Sequence, residues 1–295
     1  MNYSIILHGG AGESLKNIIK DSNKLYELET HYRKSLMKIL KSGISLLKKG
    51  HSAIDVVEKC CIKLENNELF NAGVGATKNE ENNIFHDAII IDGKTKNWGA
   101  ICNSNIVKNP IKICKHIMNE SSKLIGDNDN IKKYCKLNNL PTVNQRHFKS
   151  DIRDLFDSIS LDYGTIGIIV KDIYGNMCAA TSTGGKTNKV PGRIGDTPMN
   201  GISTICDNNI GSVTVTGKGE EILKHHVASQ VFYQVKYSKK SIKKSIDTTL
   251  KEINPGVCGI IGMDKNGNIY HNKNTPRMYV AWNKSTDKDL HVELY

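Results

Sequence analysis

Tyr163-Gly164-Thr165-Ile166-Gly167-Ile168-Ile169-Val170 decides how this chain is read. A threonine stands directly after a glycine and directly before an apolar run, Ile166 to Val170, that reads as a strand. Three further pieces follow: Thr181-Ser182-Thr183-Gly184-Gly185, Pro191-Gly192-Arg193-Ile194-Gly195-Asp196, and Thr216-Gly217-Lys218-Gly219-Glu220. Each alone is weak, because threonine is a β-former and glycines mark turns. In this order they describe an enzyme that cuts itself before Thr165 and then uses that threonine as its nucleophile.

The chemistry sets these requirements. A threonine hydroxyl needs a base within hydrogen-bond reach. A free α-amine, with a reference pKa of ~7.7–8.0, lies beside the hydroxyl when threonine is the first residue. Thr165 is internal, so the amine must be released. The same hydroxyl can do this by attacking the Gly164 carbonyl, giving an ester that water opens. Acyl transfer also needs donors for the oxyanion, and Thr216-Gly217, at a strand end, offers a hydroxyl and a backbone N–H. Arg193 and Asp196 offer a cation and an anion three residues apart, the reverse of an α-amino acid's carboxylate and ammonium. The plainer reading pairs Arg193 with Asp196; their glycine-bounded loop favours a functional one. His8 is either a base or a histidine satisfied by backbone groups beneath the site.

Outward from this centre, Tyr3 to Leu7 reads as a buried strand ending in a glycine turn, His8-Gly9-Gly10-Ala11-Gly12. Leu25 to Lys49 has helical spacing, and Ser52 caps a second helix with Asp55 in its first turn. Leu69 to Ala76 is glycine-rich, but no Gly-Lys-Ser/Thr follows, so a phosphate loop is excluded. Residues 84–91 and 97–103 form a hairpin, and a helix starts after Asn109-Pro110. Residues 119–162 are polar and weakly periodic; they read as a flexible connector with helical pieces over 131–135 and 152–159. Beyond Thr165 come hairpins at Asp172–Asn176 and Asp264–Asn268, a strand over 212–216, a helix over 220–237 and another over 241–253. Paired helices and hairpins predict an α+β fold with antiparallel sheets covered by helices.

The 295 residues carry 38% hydrophobic and 24% charged side chains, as a globular chain does. No apolar run reaches the length of a membrane span, and the apolar start is too short for a signal peptide. Eight cysteines without a Cys-x-x-Cys pair argue against a zinc ribbon and fit reduced thiols in the cytoplasm. The net charge of +11 comes from dispersed lysines, densest over 236–244, without a nucleic-acid motif. No nucleic-acid or membrane partner is expected.

These motifs make the chain similar to the plant-type L-asparaginases, or isoaspartyl peptidases (β-aspartyl-peptidases), of the N-terminal-nucleophile hydrolases. Matching stretches run from His8–Gly12 through Leu69–Ala76, Asp87–Gly93 and Asn109-Pro110 to Gly164–Gly167, Thr181–Asp196 and Thr216–Glu220. The resemblance implies a four-layer αββα sandwich. It implies a precursor cut between Gly164 and Thr165 into an α chain, 1–164, and a β chain, 165–295, that form one structural domain and an (αβ)2 dimer. Asparagine and β-aspartyl dipeptides are the implied substrates. Thr165 would be the nucleophile, Thr183 its assistant, Thr216 and Gly217 the oxyanion hole, and Asn71 part of the active-site region. Arg193 and Asp196 would bind substrate, with Ile194, Gly195, Lys218 and Gly219 alongside. No organic cofactor is implied. Relatives hold a sodium ion through backbone carbonyls, here those of Leu64, Glu65, Asn67, Phe70, Ala72 and Val74. Lys186, Lys218 and His86 depart from the usual pattern, and the two lysines bear on substrate preference. Glycosylasparaginase and a taspase-like endopeptidase are the neighbouring readings. A basic binding protein on an inactive fold is the non-enzymatic one.

Overall fold

The computed structural model describes residues 2–150, 152 and 164–295. Helical pieces α1 (Leu15–Ile18), α2 (Ser22–Lys48) and α3 (Ala53–Glu65) follow the first strand, β1 (Ser4–Gly12). Ser52 caps α3, its hydroxyl accepting from Asp55 N–H. β2 (His86–Asp92) and β3 (Trp98–Ser104) form the expected hairpin, followed by α4 (Pro110–Ile117). β5 (Ile166–Lys171) and β6 (Met177–Thr183) follow Thr165; then come β7 (Thr204–Asp207) and β8 (Gly211–Gly217). β9 (Cys258–Asp264), β10 (Ile269–Lys273), β11 (Arg277–Lys284) and β12 (His291–Glu293) close the chain.

With β4 (Leu124–Ile125), the strands build two sheets. One runs β12-β11-β1-β5-β6-β2-β3-β4 and the other β10-β9-β8-β7. Every strand pair is antiparallel except β3 with β4. In the large sheet, strands from before Thr165 interleave in blocks with strands from after it: β1 lies between β11 and β5, and β2 to β4 follow β6. Neither part could keep that sheet alone.

Residues alternate between the two faces of the large sheet, as the pleat requires. Ile166, Ile168 and Val170 join one core with Leu36, Leu40, Val56, Val57 and Ile113 of the first helices. Ile169 faces a second core with Ile6, Ile89, Ile261 and Met263 of both sheets. Covering on both sides explains why this strand reads as an unbroken apolar run. A third core joins Val213 and Val215 of β8 to Val227 and Val231 of α7 (Val227–Ser238) and Ile246 of α8 (Ile242–Glu252).

Three expectations change. His8 to Gly12 does not turn away; β1 runs through it with a bulge between His8 and Ala11, where Gly10 takes φ +112. The helix over 220–237 is two, α6 (Gly219–His225) and α7, because His226 sits in the left-handed region at φ 48. Ala228 N–H then donates to Ile202 O instead of continuing one helix. Residues 119–150 are not a flexible connector. They hold β4, α5 (Asn128–Leu137) and a 3₁₀ turn over Gln145–Phe148, with Ile131, Cys135 and Phe148 buried. The helical piece expected over 152–159 lies outside the described residues, Ile152 apart.

Candidate active site

Thr165 sits just before β5, at the centre of the large sheet. Ile166 pairs with Ser182, so Thr165 lies beside Thr183 across the β5–β6 register. His8 pairs with Gly167 on the other flank. β8 of the second sheet supplies the facing wall. Its Val213 and Val215 point into the outer core, so Thr214 and Thr216 point inward. Thr214 Oγ1 lies 3.1 Å from His8 Nε2, and Thr216 Oγ1 accepts from Ala11 N–H at 3.3 Å.

Gly164 is packed so tightly that a Cβ there would lie 2.1 Å from Thr216 Oγ1 and 2.7 Å from Ala11 N. The peptide before Thr165 therefore rests against the hydroxyl expected to receive an oxyanion, and only glycine fits.

A cavity of about 510 Å³ opens here, lined by Gly164, Thr165, Thr183, Arg193, Gly195, Asp196, Gly217, Lys218 and Gly219 among others. Most of the residues expected to act together are thus brought together. Asn71, Ile194 and Thr216 are not on that wall; Thr216 is fully buried behind Gly164. Asn71 is buried and works from behind: its Nδ2 donates to Gly185 O at 2.7 Å and its Oδ1 accepts from Thr77 N–H. It holds the Gly184-Gly185 turn in place.

Arg193 and Asp196 do not pair with each other. Arg193 Nε and Nη2 both reach Glu220 Oε1, at 3.0 and 2.9 Å. Asp196 Oδ2 is buried with no hydrogen-bond partner. Burial pushes this carboxyl up to about 7, against the pull of its backbone hydrogen bond and of Arg193. A Cβ at Gly219 would lie 2.7 Å from Arg193 Nη2 and 2.8 Å from Asp196 Oδ1. The bare glycine keeps both groups open to the cavity.

His8 is fully buried, and burial lowers its imidazole to about 3. It is neutral: its Nε2 meets the Thr214 hydroxyl, and a hydrogen bond with the Thr165 backbone also acts on the ring, as the plainer reading of this histidine expected. Only glycine at 167 leaves room for the ring, since a Cβ there would sit 2.2 Å from Nε2.

The Thr165 hydroxyl has a partner that sequence reasoning missed. Thr197 Oγ1 lies 3.1 Å from Thr165 Oγ1 and is fully buried. Thr183 lines the same cavity, but its hydroxyl accepts from Gly185 N–H at 3.0 Å. The only sequence signal for Thr197 is its place directly after Asp196. Lys189 also went unremarked: it is buried and donates to Gly184 O at 2.8 Å and Phe85 O at 3.2 Å. It braces the same turn as Asn71.

In the segment expected to hold sodium, carbonyl oxygens crowd the Gly73–Gly75 turn. A Cβ at Gly73 would lie 2.0 Å from Glu65 O, and one at Gly75 would lie 2.2 Å from Phe70 O. The Asn67, Phe70 and Ala72 carbonyls each accept a backbone N–H from this segment, and that of Leu64 accepts two. Such oxygens suit a hard cation.

A hydroxyl held behind a glycine, sharing one cavity with a guanidinium and a carboxyl that has one oxygen free, is the equipment of a hydrolase. The chain belongs to the asparaginase family: residues 1–158 and 155–292 match the family described as Asparaginase. It is 32% identical over 307 residues to the isoaspartyl peptidase/L-asparaginase of Xenopus laevis, an alignment covering 99% of this chain and 94% of that protein. To the bovine (Bos taurus) protein of the same name it is 33% identical over 282 residues, 90% and 88% of the two chains. To the isoaspartyl peptidase of Escherichia coli (strain K12) it is 30% identical over 306 residues, 96% and 93%.

Proposed function

We propose that this hydrolase matures by cutting itself before Thr165 and then hydrolyses L-asparagine and β-aspartyl dipeptides. The observation that carries the reading is the shared cavity of Thr165, Arg193 and Asp196, behind a Gly164 that admits no side chain. The names of its relatives point the same way.

In maturation, Thr165 Oγ attacks the Gly164 carbonyl carbon and its C–N bond breaks. The acyl group passes from nitrogen to oxygen, and water hydrolyses the ester. The products are a Gly164 carboxylate and a free Thr165 amine. In turnover that amine takes the hydroxyl proton, and Oγ attacks the substrate's β-carbonyl carbon. The Thr216 hydroxyl and Gly217 N–H receive the oxyanion. The proton goes to the leaving nitrogen, releasing ammonia from asparagine or an amino acid from a dipeptide. Water then frees aspartate. Arg193 holds the α-carboxylate and Asp196 the ammonium, an arrangement for a free amino acid end that disfavours an endopeptidase.

The three separate cores support a four-layer αββα arrangement of the N-terminal-nucleophile type. The carbonyls of Leu64, Glu65, Asn67, Phe70, Ala72 and Val74 would hold sodium, which would brace the turn leading to Asn71. An (αβ)2 dimer and residence in the cytoplasm complete the proposal. All eight cysteines are buried and unbridged, in keeping with a reducing compartment. No helix of the described residues is long and apolar enough to cross a membrane.

The test is product release by matured protein: ammonia from asparagine and free aspartate from β-Asp-Leu, both lost in Thr165→Ala. Release that survives in Thr165→Ala would overturn the proposal.

A further inference from the structure

We propose that Lys186 and Lys218 form an anion subsite at the mouth of the cavity, selecting β-aspartyl dipeptides whose second residue is acidic. The inference rests on the proposed function and adds a substrate class to it. Both lysines line the cavity that holds Thr165. Thr165 and Asp196 are buried and the Arg193 side chain is 15% exposed, whereas both lysines are exposed. A substrate with its aspartyl end on Arg193 and Asp196 and its β-carbonyl at Thr165 must send the rest outward, toward the lysines. The cavity's 510 Å³ lies within the range of about 300–1,000 Å³ that accepts more than a single amino acid.

The carboxylates at the mouth do not cancel this. Glu220 is engaged by Arg193 at 2.9 Å, and Lys186 acts on it only through space. Glu221 lies 3.6 Å from Lys224 and 3.5 Å from His225. Among the described residues neither Lys186 nor Lys218 has an ion-pair partner, and both remain available. Glu13 is also exposed on the rim, one carboxylate against the two lysines. Lys186 follows Gly185 and Lys218 precedes Gly219, both beside Arg193. The second residue of a dipeptide therefore leaves the site past two lysines.

The test compares kcat/KM of matured protein on β-Asp-Glu, its near-isosteric β-Asp-Gln, and β-Asp-Lys. β-Asp-Glu should lead β-Asp-Gln by about two- to fivefold, the worth of an exposed ion pair, and the lead should shrink as salt is added. Lys186→Met and Lys218→Gln should each bring that ratio toward one, whatever happens to the absolute rate. Equal rates for Glu and Gln, a preference for β-Asp-Lys, or a ratio unmoved in both variants would overturn the subsite alone. Protein that cleaves none of the three peptides and releases no ammonia from asparagine would overturn the parent reading as well.

Discussion

Lowering the pH separates the three groups that could control proton transfer at Thr165. The released α-amine starts from ~7.7–8.0. Thr165 is only 5% exposed and shares its cavity with Arg193, Lys186 and Lys218. Burial and like charge both disfavour the ammonium, so its pKa in the fold lies below that reference. Below that pKa, kcat should fall tenfold per pH unit. His8 predicts something else: burial holds it at about 3, so as the base it would leave kcat flat down to about pH 4. Asp196 lies at about 7 in the empty site and binds an ammonium only when ionised. Its protonation should weaken kcat/KM as pH falls. In the complex the substrate's charge holds Asp196 ionised, so kcat should not sense it. The assay is stopped-time aspartate release at saturating and limiting β-Asp-Leu, for wild type and His8→Gln. A limb in kcat below the free-amine reference but well above pH ~4, kept in His8→Gln, supports the amine. A kcat that stays constant from about pH 7 to about pH 4 refutes it and returns the role to His8.

Further outcomes follow from the same geometry. Arg193→Lys, made in protein that has matured, should raise KM about tenfold with kcat largely kept, because lysine lacks the guanidinium fork; an unchanged KM removes Arg193 from substrate binding. Thr197→Val should slow self-cleavage about fivefold to tenfold by removing one buried hydrogen bond to Thr165, and Thr197→Ser should restore it; equal rates in all three would leave Thr197 without a role. Glu65 is buried and its carboxyl is pushed up to about 8 by burial, so it is protonated in the fold while the unfolded chain ionises near ~4.5. Its stabilising contribution is present below that lower value and is lost as pH rises toward 8, at about 1.4 kcal/mol per unit. Glu65→Gln should therefore flatten the decline in stability over that window, and denaturant titrations showing the same slope in both proteins would contradict the assignment.

What the sequence disclosed follows from which residues had a single physical reason to be where they are. The place of Thr165 between a tightly packed glycine and a strand was legible from its local sequence. That Arg193 and Asp196 share its cavity was legible from their glycine-bounded loop. Thr197 was not: its hydroxyl matters only through a contact made across the fold. The HGGAG stretch reads locally as a turn, yet pairing with β5 and β11 keeps it a strand. The break at His226 was hidden because apolar spacing continues through it, while Ile202 takes the hydrogen bond that splits the helix. The helical piece over 131–135 was legible, but only Ile131 and Cys135 of the helix Asn128–Leu137 are buried, too few for its full length to show. Strand β11 was passed over, although it pairs with β1 and lies second from the edge of the large sheet.

Intact mass of freshly purified protein tests the central claim most directly. The account predicts two chains in place of one of 295 residues, the second beginning at Thr165, and a single uncut chain for Thr165→Ala. An uncut wild-type chain that already hydrolyses asparagine, or a Thr165→Ala chain cut at the same bond, would contradict it.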